Sequence, residues 1–338
     1  DFGEGRHCSH PSRTGPARTH RALSTLSRHS VPSSRLTSGA ARSVSTKVWR
    51  ADITGVSGHE VHVYFLDTFH PKNTERHLDL GLTLYGGDDW VRIRQEYLLG
   101  VGGLRLIDKL GLDVDGLHLN EGHCTFALLE MLNRGWTREQ LAKRVLFTTH
   151  TPVPAGHDRF EWEAVEEVLG DLLPPDAKQL VIDAGDPEEG RRISMSHLAV
   201  ALSGPVNAVS NLNAWVASSM FADHHIAPIT NGVHHLTWTS PMMGELFDEQ
   251  LPGWREDPTK LAHAGKIPTE ELTEARGVAR KVLRELVQTS TGVRLDKNRL
   301  TIGFARRFAT YKRANLVFSD LERLREIGAG KIQFVFSG

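Results

Sequence analysis

Cysteine is scarce in this 338-residue sequence, and so are long apolar runs and an excess of charge of one sign. The two cysteines, Cys8 and Cys124, are too few for a disulfide framework or a zinc ribbon, which favours a reducing cytoplasm. The 40 Lys and Arg residues against 41 Asp and Glu give a net charge of −1, so nucleic acid and acidic membranes are not expected partners. No apolar run approaches the roughly 20 residues that cross a bilayer. These absences predict a soluble cytoplasmic protein.

What the sequence does contain is typical of globular domains, except at its beginning. Hydrophobic residues make up 39% and charged residues 24%, and the length allows about two ordinary domains. Residues 1–47 instead scatter arginine among serine, with only Asp1 and Glu4 as acids. This leader predicts disorder, because it has little apolar surface to bury. Its composition also leaves open an organellar transit peptide, or a truncated or mistranslated reading of the gene.

From residue 48 onwards, the pattern alternates strands and helices. Strands at residues 115–119 and 144–149 are predicted around a helix at 124–133, and a short strand at 206–209 lies between two further helices. This order predicts a parallel sheet covered by helices, so the fold class is α/β.

The last part of the chain predicts a second α/β unit. A charged amphipathic helix at residues 269–290 is followed by strands at 300–305 and 331–336, with a helix at 312–327 between them. A second parallel sheet is therefore only begun within this chain.

Two histidine-containing clusters follow predicted strands. Residues 118–123 read His-Leu-Asn-Glu-Gly-His, and residues 148–158 read Thr-Thr-His-Thr-Pro-Val-Pro-Ala-Gly-His-Asp. Ligands of open α/β sheets bind at the carboxyl ends of the strands, so both clusters are candidate sites. The first differs in spacing from zinc-binding helices, which argues against a metal. Asn120 or Glu121 as a helix cap, and His150 as a structural histidine, are the alternatives.

Two further clusters lie later in the chain. Residues 229–238 contain Asn231-Gly232, which on its own is typical of a tight turn. Residues 303–313 place four cations between a predicted strand and a predicted helix, where helix amino termini and Arg side chains bind phosphate. An anion site is the favoured interpretation, and a solvated charged surface is the alternative.

The glycines of residues 100–103, Gly-Val-Gly-Gly, resemble a phosphate-binding loop in composition alone. They fall inside a helical pattern and not between a strand and a helix, so the motif lacks its structural context. We interpret these glycines as positions of close packing.

Taken in this order, the four clusters resemble the α-glucan phosphorylases, in particular their shorter bacterial branch, over residues 48–338. The resemblance implies a GT-B architecture, with two Rossmann-like domains and a site in the cleft between them. It implies phosphorolysis of a terminal α-1,4 glucosidic bond, which releases glucose 1-phosphate with retention. Pyridoxal phosphate is the implied cofactor, acting through its phosphate. The implied ligands are α-1,4-glucan and inorganic phosphate, and a homo-oligomer is left open.

The resemblance also implies roles for individual residues. Three catalytic positions orient the sugar or hold the substrate phosphate, namely His150, Arg307 and Lys312. Five positions bind the sugar, namely Asp88, Asn120, Glu121, His123 and Asn231. Asp88 lies in a mobile loop, and Asn231 is paired with His150. Two positions lie near the cofactor, namely Arg306 and Trp238.

Departures from the family pattern limit what the chain is expected to do alone. The Schiff-base lysine lies further along the family's chains and is not present here, so this fragment is predicted to be inactive by itself. The family usually has Gly and His where this chain has Ala208 and Asn213. The predicted organisation is a disordered leader, part of a first Rossmann-like domain, a helical connector and the start of a second Rossmann-like domain, at residues 1–47, 48–240, 241–298 and 299–338.

Three competing functions remain open from the sequence. Another GT-B glycosyltransferase, such as a glycogen synthase, would use the same cations for a sugar nucleotide. A glycosidase would use Asp88 and Glu121 as paired carboxylates. A non-catalytic fragment would bind glucan without cleaving it, or would bind a full-length subunit.

Overall fold

Strands and helices alternate through the residues that the computed structural model describes, which are 31–36, 44–55, 57–82, 87–170, 173–184 and 192–338. The strands within these residues are β1 (Val31–Leu36), β2 (Val44–Thr54), β3 (Glu60–Asp67), β4 (Leu117–Asn120), β5 (Val145–Thr149), β6 (Arg159–Glu161), β7 (Arg192–Ser194), β8 (Val206–Ala208), β9 (Ala227–Pro228), β10 (Leu300–Ala305) and β11 (Ile332–Ser337).

The α-helices of the same residues are mostly short, with one long exception near the carboxyl end. They are α1 (Glu75–Leu78), α2 (Asp89–Tyr97), α3 (Gly103–Leu110), α4 (Phe126–Asn133), α5 (Arg138–Arg144), α6 (Trp162–Leu169), α7 (Ala177–Asp183), α8 (Met195–Leu202), α9 (Asn211–Met220), α10 (His235–Trp238), α11 (Pro241–Gln250), α12 (Thr269–Thr291) and α13 (Leu321–Gly328).

The chain divides into two compact units. The first comprises Asp1–Asp115, His123–Trp136 and Phe160–Gln179, and the second comprises Gly116–Gly122, Thr137–Arg159 and Leu180–Gly338. The division into ranges that the sequence suggested stays a prediction.

The first unit contains an antiparallel sheet of order β1-β2-β3. Strand β2 begins with β-branched residues at alternate positions, Val44, Thr46 and Val48, and all three are buried. The prediction of disorder for the leader is therefore wrong for residues 31–36 and 44–47, which form strands. The rest of the leader lies outside the described residues.

The helices of the first unit contain a turn of π-helix at Leu98–Gly102, between α2 and α3. A side chain at Gly100 would meet the backbone nitrogen of Ala127 at 2.7 Å and the carbonyl oxygen of Cys124 at 2.9 Å. The prediction of close packing is confirmed at Gly100. It is wrong at Gly103, where no atom lies within 4 Å of the added carbon.

The second unit contains the predicted parallel sheet, in the order β4-β5-β8-β9. The central strand β5 is buried at Val145 and Phe147, because apolar side chains cover it from both faces. Helix α8 packs against β5 and is buried on nearly its whole surface, from Met195 to Leu202. The α/β class predicted from the sequence is confirmed in this unit.

The same unit holds a two-stranded parallel sheet of β10 and β11. The predicted single helix at residues 312–327 is wrong. Its first half consists of 3-10 turns at Thr310–Lys312 and Ala314–Phe318, interrupted by Arg313 at a φ of 53°, and α13 begins only after the helix cap Asp320. A left-handed residue of this kind ends a right-handed helix.

The segment between the two sheets of the second unit has a small core of its own. Leu251, Trp254 and Ile267 are buried there, between α11 and the start of α12. Among the described residues, no helix has both the length and the apolar character that crossing a membrane requires.

Candidate functional site

The carboxyl edge of the four-stranded sheet brings three of the predicted site segments together. Its strands are parallel, so their carboxyl ends lie side by side. The amide of Glu121 donates to Thr148 O at 2.9 Å, which ties the end of β4 to the end of β5. The amide of Asn231 donates to Val209 O at 3.0 Å, which ties the segment after β9 to the end of β8.

Glu121 has a left-handed backbone, with a φ of 65°, and is only 8% exposed. Its carboxylate oxygen Oε1 accepts hydrogen bonds from the amides of His150 and Thr151, the second at 2.8 Å. Glu121 does not cap α4, because the residue that precedes this helix is Thr125. Direct contact between Glu121 and a sugar stays a prediction.

His150 follows β5 directly, and its backbone is held on both sides. Its amide binds Glu121, and its carbonyl oxygen accepts from Asn213 Nδ2 at 3.2 Å. The ring nitrogen Nε2 is buried and has no hydrogen-bond partner among the residues that the structure describes. A buried imidazole nitrogen without a partner is costly unless a ligand supplies one, so His150 is the strongest candidate for ligand contact at this edge.

A buried polar network lies beneath the edge. Thr148 donates its hydroxyl proton to Asn207 Oδ1 at 2.6 Å, and it therefore accepts from His118 Nε2 at 2.6 Å. His118 is thus used in positioning β4 against β5 and β8.

The other predicted residues of this edge are open to solvent. Asn120 and Asn231 are both exposed, as binding groups for a soluble ligand need to be. Trp238, at the end of α10, is 78% exposed, although the sequence resemblance places it near a cofactor.

Asp88 and His123 lie in the first unit, on and beside α2. Asp88 caps this helix by accepting the Val91 amide at 3.0 Å. Arg92 and Glu96 follow it at four-residue steps on the same helix face, form an ion pair of 3.0 Å, and both approach His123 Nδ1, at 3.3 Å and 3.6 Å. The predicted mobile loop spans residues 85–89, of which residues 85 and 86 lie outside the described residues.

The three predicted phosphate ligands follow β10. Arg306 and Arg307 are exposed, and Lys312 is partly buried with its ammonium 4.5 Å from the ring centre of Tyr311. The sequence predicted Lys312 in the first turn of a helix, but the structure places it in a 3-10 turn. These cations follow a strand of the two-stranded sheet, whereas Glu121, His150 and Asn231 meet at the four-stranded sheet.

Sequence reasoning assigned no site role to three residues that the structure connects to predicted site residues. They are Arg92, Glu96 and Asn213. The four-residue spacing of Arg92 and Glu96 was a usable signal, because residues four apart share one face of a helix. No local pattern marks Asn213, because its partner His150 lies 63 positions away in the sequence.

Comparisons with known proteins identify relatives that are similar to this chain over most of its length. No protein-family model matches the chain. A maltodextrin phosphorylase from Thermococcus litoralis is 37% identical over 302 residues, which cover 79% of this chain and 36% of that protein. Glycogen phosphorylases from Aquifex aeolicus and Mycobacterium tuberculosis are each 31% identical, over 86% and 83% of this chain and 47% and 38% of their own lengths.

The chain thus spans less than half the length of each of these three relatives. The similarity nevertheless runs through about four fifths of its own residues. The chain belongs to the family of the glycogen and maltodextrin phosphorylases.

Proposed function

We propose that this chain supplies the sugar-binding edge, and the first phosphate-binding cations, of an enzyme that phosphorolyses α-1,4-glucan. In the proposed reaction, the bond between C1 of the terminal glucose and the glucan oxygen breaks, and C1 forms a bond to a phosphate oxygen. The released glucan oxygen takes up the proton that the substrate phosphate gives. The products are glucose 1-phosphate, with its anomeric configuration retained, and a glucan shorter by one residue.

The observation that carries this proposal is the environment of the His150 ring nitrogen Nε2. Its Nε2 is buried and lacks a hydrogen-bond partner among the described residues, at the edge of a parallel sheet where ligands bind. A sugar hydroxyl can both donate and accept, so it satisfies an imidazole nitrogen in either tautomer. Asn231, tied to the neighbouring strand end, offers an exposed amide for the same hydroxyl.

The cations after β10 suit the other half of the reaction. A transition state with positive charge at C1, flanked by phosphate, requires cations on the phosphate and neutral donors on the sugar hydroxyls. Arg307 and Lys312 are proposed to hold the substrate phosphate, and Arg307 offers two parallel N–H groups for it. Asp88, Asn120, Glu121 and His123 are proposed to line the sugar site.

Pyridoxal phosphate is the proposed cofactor, and its phosphate supplies proton exchange with the substrate phosphate. Arg306 fits a phosphate ligand, because its side chain is exposed at the end of a strand and its amide is already bound to Ser337 O at 3.0 Å. Trp238 presents an exposed indole. The lysine that would form the imine is proposed to lie outside this chain.

The proposal includes the remaining features that the sequence predicted. They are a GT-B arrangement of two Rossmann-like domains, a connector at residues 241–298, a cytoplasmic location, and glucan and inorganic phosphate as ligands. Self-association is left open. The glycosidase alternative has less support, because the carboxylates of Asp88 and Glu121 both accept backbone amides in this structure.

The test is a chimaera in which this chain replaces the matching segment of the Thermococcus litoralis protein. We expect it to release glucose 1-phosphate from maltooligosaccharide and phosphate only when pyridoxal phosphate is present. Arg307→Lys keeps the charge but loses the planar pair of donors, so phosphate affinity or turnover should fall by roughly one to two orders of magnitude. Oligosaccharide binding should stay near that of the parent chimaera.

Arg323→Lys is the matched control, because Arg323 is an exposed arginine of α13 paired with Glu326 at 2.7 Å. A chimaera that folds, binds the cofactor and makes no glucose 1-phosphate would overturn the proposed activity. Normal phosphate kinetics with impaired glucan binding in Arg307→Lys would show that this cation serves the other ligand. Borohydride reduction of the chain with pyridoxal phosphate should leave no stoichiometric adduct on any one lysine.

A further inference from the structure

The backbone at His150 and Thr151 is held by three side chains from separate parts of the second unit, and we name Glu121, Asn213 and His157 the backbone clamp. Glu121 Oε1 accepts both amides. Asn213 Nδ2 donates to the carbonyl of His150 at 3.2 Å, and His157 Nε2 lies 2.8 Å from the carbonyl of Thr151. All four polar backbone groups of these two residues are therefore bound by clamp side chains.

Each member of the clamp is buried, which makes its bonds strong and their loss costly. Glu121, Asn213 and His157 are 8%, 6% and 7% exposed. Bonds from amides to a carboxylate are charge-assisted, and water cannot replace them at a buried site. Two residues in a loop after a strand would otherwise be free to move, so the clamp explains how a loop presents a ring at a fixed angle.

The third member, His157, is itself fixed. A carbonyl oxygen only accepts, so Nε2 of His157 carries the proton that binds Thr151 O. In the neutral ring, Nδ1 then accepts the hydroxyl proton of Ser196 at 2.7 Å, and the ring meets Phe221 edge to face at 5.8 Å. Ser196 lies in α8, which packs against β5, so the far end of the loop is anchored on the sheet that carries its start.

The loop between the clamp residues closes tightly. A side chain at Gly156 would place its first carbon 2.1 Å from Thr151 Cγ2, so only glycine fits beside the clamped residue. This closure brings His157 back to the carbonyl of Thr151, six positions earlier in the sequence.

We infer that Asn213, His157 and Glu121 are positioning residues, which hold the His150 backbone so that its ring nitrogen faces a sugar hydroxyl. Asn213 is the most informative member of the clamp. The sequence resemblance places it where the family usually has His, and in this structure its side chain donates a hydrogen bond to the carbonyl oxygen of His150. This inference rests on the proposed function for its ligand, but the clamp itself exists without one.

The test uses the chain itself, with amide hydrogen exchange by NMR in the absence of sugar and calorimetric titration with maltopentaose. Asn213→Ala should speed exchange at the amides of His150 and Thr151 about tenfold and weaken maltopentaose binding by a similar factor. Asn211→Ala is the matched control, since Asn211 is an exposed asparagine in the first turn of the same helix. It should change neither readout.

A second variant tests the hold of the Glu121 carboxylate on the backbone without relying on sugar binding. Glu121→Gln keeps an oxygen that can accept both amides, so exchange at the two amides should stay within about threefold of the parent, whereas Glu121→Ala should lose their protection. Faster exchange at the two amides in Asn213→Ala with unchanged maltopentaose binding would overturn the positioning role. The positioning role would also be overturned if Asn213→Ala made exchange faster evenly over the whole sheet, with no local excess at the two amides. A parent chain that binds no glucan would sink the proposed function alone, because the exchange readout needs no ligand.

Discussion

The two parallel sheets of the second unit carry different kinds of site residue. At the edge of the four-stranded sheet, Glu121 and Asn213 are buried and hydrogen-bonded to the amide and the carbonyl oxygen of the site histidine, His150. After β10 of the two-stranded sheet, Arg306 and Arg307 are exposed, as are apolar side chains of that strand such as Leu300. The residues that hold the site histidine are thus buried, whereas the two arginines proposed to bind phosphate are exposed.

This difference is instructive about recognition. A neutral sugar is distinguished by the directions of its hydroxyl groups, so its ligands must be fixed in angle. A phosphate is also attracted by charge, which acts over longer distances, so exposed cations can attract it before directed hydrogen bonds such as those of Arg307 form. Burial and hydrogen bonding therefore matter most where direction matters most.

The largest expected contrast between the sheets concerns a phenylalanine of each region. Phe147 in β5 is fully buried, and Phe147→Ala would leave a cavity that costs about 3 to 5 kcal/mol of unfolding free energy. Phe308, just after β10, is 65% exposed, so Phe308→Ala should change stability by about 0.5 kcal/mol or less. Urea unfolding followed by circular dichroism measures both. Equal losses would mean that the two regions are packed alike.

A glycine of each region gives the next contrast. A side chain at Gly204, just before β8, would lie 1.7 Å from Ala142 O, so Gly204→Ala must displace the backbone and should cost about 1 to 3 kcal/mol. At Gly303 in β10, an added carbon meets nothing within 4 Å. Gly303→Ala should be neutral or stabilising by about 0.5 kcal/mol, because alanine is less flexible in the unfolded chain. Thermal unfolding of both variants decides this, and a tolerated Gly204→Ala would contradict the tight junction.

A threonine of each region tests the polar networks. Thr148→Val leaves the buried Asn207 and its neighbour His118 without a shared partner, which should cost about 1 to 2 kcal/mol. Thr301→Val in β10 removes a single bond from Gln333 Nε2, of 2.9 Å, near the surface. Its cost should be about 0.5 kcal/mol, because water replaces the lost partner. A larger loss for Thr301→Val than for Thr148→Val in urea unfolding would reverse the comparison.

The sequence predicted the sheets better than the contacts at their edges. The strand at residues 300–305 was predicted with the bounds that the structure has, because a run of apolar residues of this length is decided locally. The helix expected after it fails at Arg313 and restarts at Asp320, which accepts the Arg323 amide at 2.8 Å. An aspartate before a helix was a readable capping signal that the prediction passed over.

The site was predictable in its segments and not in its connections. Three of the four clusters were expected at strand ends because parallel strands place their carboxyl ends at one edge. The role of Asn213 depends on a bond to a loop that is brought near it only by the fold. Periodicity and spacing describe one segment at a time, so neither could assign this partner. His157 lies in the predicted cluster itself, but its bond to the carbonyl of Thr151 depends on how the loop closes.

The smallest expected effect concerns an exposed carboxylate, in contrast to the buried Glu121. Asp248 binds Arg255 through two parallel bonds of 2.8 Å and 2.7 Å and accepts from Trp254 Nε1 at 2.9 Å. The hydrogen bonds from Arg255 lower the pKa of Asp248 below its ordinary value of 3.8, with Trp254 adding to the effect. A carboxyl whose pKa is lower in the folded chain stabilises the fold above its unfolded pKa, and this stabilisation is lost as the pH falls below about 4.

Asp248→Asn should therefore cost only roughly 0 to 1 kcal/mol at pH 7, because water and salt screen an exposed ion pair. The difference in unfolding free energy between variant and parent should shrink as the pH is lowered from about 5 to below the folded pKa of Asp248, since the parent carboxylate then becomes protonated as well. Urea unfolding at a series of pH values measures this difference. Glu285→Gln is the control, because Glu285 pairs only loosely with Lys281, at 4.0 Å on the exposed surface of α12, and should show almost no difference at any pH. A pH-independent loss in Asp248→Asn would mean that the hydrogen bond to Trp254, and not the charge shared with Arg255, is what Asp248 contributes.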